Sequence, residues 1–126
     1  MRCAELSAVL TSSGMFQCHL KSLPDEPVHG ADTIRKRVML RAGQVGAITQ
    51  FAQATFPPGT EVQPHVHEDM SEVYLVERGR GLLRVDSREL SIEAGSCVTV
   101  HPGERHSLQN VGEGPLVITY FGVLSK

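Results

Sequence analysis

An all-β, single-domain barrel is the fold class this chain predicts, and three observations carry the prediction. A length of 126 residues is one domain's worth of chain, enough to bury a real apolar core. From residue 34 onward, short β-branched and apolar runs alternate with Gly/Pro turns at spacings typical of a sandwich or barrel. His65 and His67 stand two apart. On an extended strand both rings would leave one face, with Cα atoms roughly 6–7 Å apart. On a helix they would splay by about 200°.

The N-terminal part, residues 1–33, reads as loosely structured, with at most a short edge strand over 15–20. Thr11-Ser12-Ser13-Gly14 and Leu23-Pro24-Asp25-Glu26-Pro27 are breaker clusters, and no long helical period survives between them. Residues 34–126 form the barrel domain. Its first strand spans 34–41, with Ile34, Val38 and Leu40 on one face and Arg35, Arg37 and Arg41 on the other, as a solvated edge strand would have. A strand over 47–56 is closed by Pro57-Pro58-Gly59, and 61–66 carries the histidine pair. Residues 71–77 carry Glu72 into a turn at Gly79-Arg80-Gly81. Strands 82–86 and 89–93 make a hairpin around Ser87-Arg88, and 96–101, 106–111 and 116–124 complete the set. Pro57, Pro58, Pro64, Pro102 and Pro115 fall at strand starts or turns, where a missing amide donor does least harm. Together these elements predict a double-stranded β-helix, the jelly-roll barrel, whose edges are closed or paired with a second copy.

Composition narrows the function classes. The chain is 40% hydrophobic and 21% charged, with a formal charge of −2. That balance gives no reason to invoke nucleic acid or an anionic membrane. No run approaches the ~18 consecutive apolar residues of a membrane span, and the broken apolar stretch over 4–10 is a poor signal peptide. Cytoplasmic placement is the expectation. Cys3, Cys18 and Cys97 are odd in number and form no CxxC pair, so a disulfide framework is not expected. Cys97, in an apolar strand pattern, is expected to pack as a small hydrophobe. With four Phe, two Tyr and no Trp, the barrel lumen must be walled mainly by aliphatic side chains.

The chemistry sits in two frames. The first is Gly59-x5-His65-x-His67-x4-Glu72-x6-Gly79, and the second is Gly95-x7-Gly103-x2-His106-x3-Asn110. Imidazole nitrogen and carboxylate oxygen are the donors that borderline divalent metals prefer. The pair of frames resembles the cupin family. Every fixed position of that family's first motif is filled here. In the second, His101 stands where the family has proline, with Pro102 beside it. The resemblance implies a jelly-roll barrel holding a divalent transition metal (Fe, Mn, Ni or Zn) through His65, His67, Glu72 and His106. It also implies a homodimer, and the 34–41 strand is the candidate contact.

Around that ion, Tyr74 shares strand parity with Glu72. Its hydroxyl either bonds a ligand or acts as an acid, or its ring is a packing aromatic. His101 is a candidate base at the pocket mouth or a solvated loop histidine. Gln53 is a candidate lining residue, and the basic run at Arg35, Lys36, Arg37 and Arg41 is either a solvated face or a clamp for an anionic group. The family covers dioxygenases, isomerases, lyases and plain binding domains, so fold alone does not choose among them. The leading expectation is a metal-dependent enzyme, dioxygenase-like or isomerase/lyase-like, acting on a small oxygenated molecule chelated at the ion. The alternative is a non-catalytic barrel that binds a small molecule.

Overall fold

Alternating inward apolar and outward polar residues build two facing antiparallel sheets in the computed structural model, which describes residues 9, 10 and 14–125. The strands are β1 Val9–Leu10, β2 Phe16–Gln17, β3 Glu26–Val28, β4 Ala31–Arg41, β5 Ile48–Phe56, β6 Glu61–His65 and β7 Met70–Arg78. They continue with β8 Arg80–Val85, β9 Arg88–Glu93, β10 Cys97–Val100, β11 His106–Asn110 and β12 Leu116–Leu124. The larger sheet runs β10-β7-β12-β5-β4-β3 and the smaller β6-β11-β8-β9; β1 and β2 pair separately. The all-β jelly-roll expectation holds. Ile34, Ala54, Val76 and Ile118 from the larger sheet meet Leu83, Val85, Ile92 and Leu108 from the smaller in one core. Such interdigitation of two inner faces is what makes a sheet pair stable.

Several local expectations change. β4 is not an edge, because β3 pairs along it with Glu26 opposite Lys36 and Pro27 opposite Arg35. Pro27 is tolerated because β3 is itself the outermost strand. A register shift between Val38 and Leu40 then swaps faces along β4. Val38 stays inward opposite Ala52, whereas Leu40 pairs with Phe51 and Arg41 with Gln50, so Leu40 and Arg41 exchange the sides assigned from strict alternation. The β8–β9 hairpin turns at Asp86-Ser87, one residue earlier than expected, since Val85 pairs with Arg88. Asp86 carries the turn at φ 53°, a conformation Asp tolerates better than most residues. Cys97 is exposed rather than packed. It opens β10, where Val98 and Val100 take the inward parity. Cys3 and the apolar stretch up to residue 8 lie outside the described residues, and the expected 15–20 strand is a two-residue β2 followed by a 3-10 turn over Leu20–Ser22. Among the described residues, no helix is long and apolar enough to cross a membrane.

Candidate metal centre

Both sheets contribute to one cluster. His65 closes β6 directly opposite His106 on β11, and their rings lie 4.2 Å apart between centroids. Between Val62 and His65 the β6 ladder slips against β11, and the slipped stretch contains Pro64, which has no amide to donate. His67 lies past the end of β6, not on it as the 61–66 strand implied. Its carbonyl accepts from Gly103 N at 2.8 Å, which ties the two sequence frames together. The intervening Val66 is 39% exposed, so the two-residue spacing still turns both rings the same way. Glu72 reaches in from β7 in the opposite sheet and is buried.

One donor atom from each of His65, His67, Glu72 and His106 lies within 4.8 Å of the others. Four donors about 2.0–2.2 Å from a common ion would be separated by roughly 3–4.4 Å, so the set fits one cation. The tautomers agree with that use. His65 Nδ1 sits 2.9 Å from Gln63 O and His106 Nδ1 3.0 Å from Glu104 O. Each ring thereby donates its Nδ1 proton to a carbonyl, the outer arrangement that orients metal-bound histidines; His65 Nε2 is left as a lone pair, whereas His106 Nε2 carries a proton toward Glu72 that a bound cation would displace.

Glu72 Oε1 gathers the remaining contacts: His106 Nε2 at 3.2 Å, His67 Nε2 at 3.5 Å and the Tyr74 hydroxyl, which donates at 2.7 Å. Burial would raise the Glu72 carboxyl, but the hydrogen bonds from His106 and Tyr74 outweigh it and hold the group below its ordinary range. His65 is pushed down, chiefly by burial. His106 is driven down by burial and up by its bond to Glu72, and the second effect wins. Tyr74 is pushed well up by burial and then by the Glu72 charge, so its hydroxyl keeps its proton. A negative carboxylate beside a neutral His65 is a set ready for a cation.

The cluster opens into a cavity of about 430 Å³. Its wall is mainly apolar, with Ala54, Phe56, Val62, Leu108 and Ile118, and it includes Tyr74, Tyr120, Lys36, Gln50 and, at the rim, the exposed His29. The structure brings Tyr74 to the ligands. It leaves His101 exposed in the β10–β11 turn, where its backbone N donates to Glu104 Oε1 at 2.7 Å, and His101 does not line the cavity. Gln53 faces the outer side, bonding Thr119 Oγ1 at 3.3 Å. Gln50 takes the lining position instead, because Ala52, Ala54 and Phe56 set the inward parity of β5. Lys36 was legible by the same rule, lying between inward Ile34 and Val38.

Residues 52–122 match the family described as Cupin domain. The chain is a cupin. An oxalate-binding protein of Thermotoga maritima is 35% identical over 66 residues, 52% of this chain and 54% of its own length. An uncharacterised protein of Methanocaldococcus jannaschii is 30% identical over 73 residues, 58% of each chain. This cupin thus spans little more than half the length of these curated relatives. Among solved structures, the predicted oxalate decarboxylase of Thermotoga maritima superposes with a TM-score of 0.78 at 24% identity, over 84% of this chain and 96% of that one. A polyketide cyclase from Streptomyces resistomycificus gives 0.73 at 18% identity, over 89% and 80%. At these identities the two structures speak for the fold.

Proposed function

We propose that this cupin is a metal-dependent enzyme that chelates a small oxygenated molecule at a divalent transition metal held by His65, His67, Glu72 and His106. The observation that carries the reading is the convergence of four donor atoms within 4.8 Å on the wall of a cavity of about 430 Å³. When bound, the ion supplies Lewis-acid polarisation of the chelating oxygens or, for iron or manganese, redox chemistry. The protein's own part is to orient and exclude. Tyr74 steers the Glu72 carboxylate through its 2.7 Å hydrogen bond, and the apolar wall keeps bulk water from the reacting oxygens. Tyr74 is therefore the better candidate than the exposed His101 for a proton-bearing group near the ligand. The dioxygenase-like and isomerase- or lyase-like versions share this geometry. Free thiols at Cys18 and Cys97 accord with a reducing, cytoplasmic setting.

A second reading, a non-catalytic binding barrel, draws on the relative named as an oxalate-binding protein. Metal analysis after anaerobic loading with Fe(II), Mn(II), Ni(II) or Zn(II) tests what both share. One equivalent is expected in the wild type and less than about a tenth in the His65→Ala/His67→Ala variant, with the β-sheet circular dichroism intact. A full equivalent in the variant refutes the ligand assignment. Oxygen uptake or product formation across catechols, diketones and hydroxy acids then separates enzyme from binder: ligand heat without turnover favours the binding barrel.

A further inference from the structure

The wall supplied by β4 and β5 holds a charged group that the metal reading does not use. Lys36 points inward, and its Nζ donates to Gln50 Oε1 at 2.7 Å. Both residues line the cavity. An ammonium has three donors, and this acceptor is a neutral amide. The carboxylate acting on it from β3, Glu26, is committed elsewhere: its Oε2 lies 2.7 Å from Arg41 Nη2. Among the described residues, Lys36 forms no ion pair with a carboxylate. A half-buried cation in a mainly apolar wall, with one neutral acceptor, is a group left ready for an anion.

Strand register locates it relative to the metal ligands. Glu72 on β7, Gly122 on β12, Gln50 on β5 and Arg41 on β4 are successive cross-strand partners. Neighbouring strands lie about 4.8 Å apart, so the Glu72 and Gln50 Cα atoms are roughly 10 Å apart in one row. Gly122 has no side chain of its own, and the space beside its Cα is taken by the Thr49 hydroxyl and the Met70 sulfur, 3.3 Å apart. The cavity therefore has two polar poles, the His/Glu cluster and the Lys36–Gln50 pair, with Met70 and the mainly apolar wall between them.

We propose that Lys36, oriented by Gln50, binds a carboxylate of the ligand, so that this cavity selects a small bifunctional acid with chelating oxygens at one end and a second carboxylate at the other. The proposal rests on reading the His/Glu cluster as the chelating pole. Lys36 then sets specificity, whereas the ion sets where the ligand reacts. A ligand without the distal charge leaves the ammonium with Gln50 alone.

Isothermal titration of the wild type, Lys36→Met and Lys36→Arg, each with and without Mn(II), tests this. The probes are matched pairs with the same chelating head: malate against 2-hydroxybutyrate, and 2-hydroxyglutarate against 2-hydroxypentanoate. The wild type is expected to prefer at least one diacid by about 10–100-fold, the worth of one charge-assisted hydrogen bond. Lys36→Met should erase that preference with metal content unchanged, and Lys36→Arg should keep most of it. A wild type without diacid preference, or a Lys36→Met protein that retains it, overturns the proposal. Failure to take up metal would remove the chelating pole by itself, and the diacid preference of the metal-free proteins would still decide the role of Lys36.

Discussion

Glu72, buried, and Lys36, half-buried, are the two charged side chains lining this cavity, and they are held in opposite ways. Glu72 accepts from Tyr74 at 2.7 Å and from His106 at 3.2 Å, so its negative charge is supported from both sides. Lys36 donates to the neutral Gln50 amide, and burial lowers its pKa from 10.5, with Glu26 opposing that shift and Arg41 adding to it. The unfolded chain keeps this proton to higher pH than the folded one. Stability therefore carries a penalty at neutral pH that is relieved as pH rises through the window between the depressed folded value and 10.5. Metal-free Lys36→Met should accordingly melt above the wild type at pH 7, and the gap should narrow as the pH approaches 10.5. Melting curves across that range check it; a variant less stable at pH 7 would show that the Gln50 contact outweighs the desolvation.

At the level of strands and turns, one glycine shows how tightly the frame is built. Gly79 joins β7 to β8 at φ 90°, and a Cβ there would run into the backbone carbonyl of Pro115. Gly79→Ala should cost about 2–4 kcal/mol, combining a left-handed backbone with overpacking, measurable by urea unfolding. A loss under about 1 kcal/mol would mean the turn relaxes freely. Asn110, the last position of the second frame, is as deeply structural: its Nδ2 donates to Phe56 O at 2.8 Å and Gly114 O at 2.9 Å, and its Oδ1 accepts from Gly112 N. Most of this was legible. Turn residues and strand parity located β4 to β12, and the two motif frames named the four residues that converge. What was hidden had physical causes. The β4 bulge reverses the faces of Leu40 and Arg41 with no local sequence signal. Glu26-Pro27 reads as a breaker, yet forms β3 because an outermost strand does not need the missing amide. Lys36 was obscured by its basic neighbours, although its parity with Ile34 and Val38 pointed inward.

At the scale of the molecule, the cavity lies between the sheets while the outer face of the larger sheet carries an apolar row. Leu40, Phe51, Phe121 and Val73 are successive cross-strand partners there, and the Phe51 and Phe121 rings meet edge-on at 6.3 Å. That row is our proposed contact with a second copy. Sedimentation at micromolar concentration is expected to show a homodimer that Phe121→Asp converts to monomer; a monomeric wild type would contradict the pairing. In either oligomeric state, metal binding requires that the two sheets deliver their side chains to one ion. X-ray absorption at the metal edge of the Mn(II)- or Zn(II)-loaded protein addresses that most directly. Three imidazole nitrogens and a carboxylate oxygen at about 2.0–2.2 Å are the expected first neighbours. A spectrum without imidazole scattering, or with sulfur as a neighbour, would contradict it.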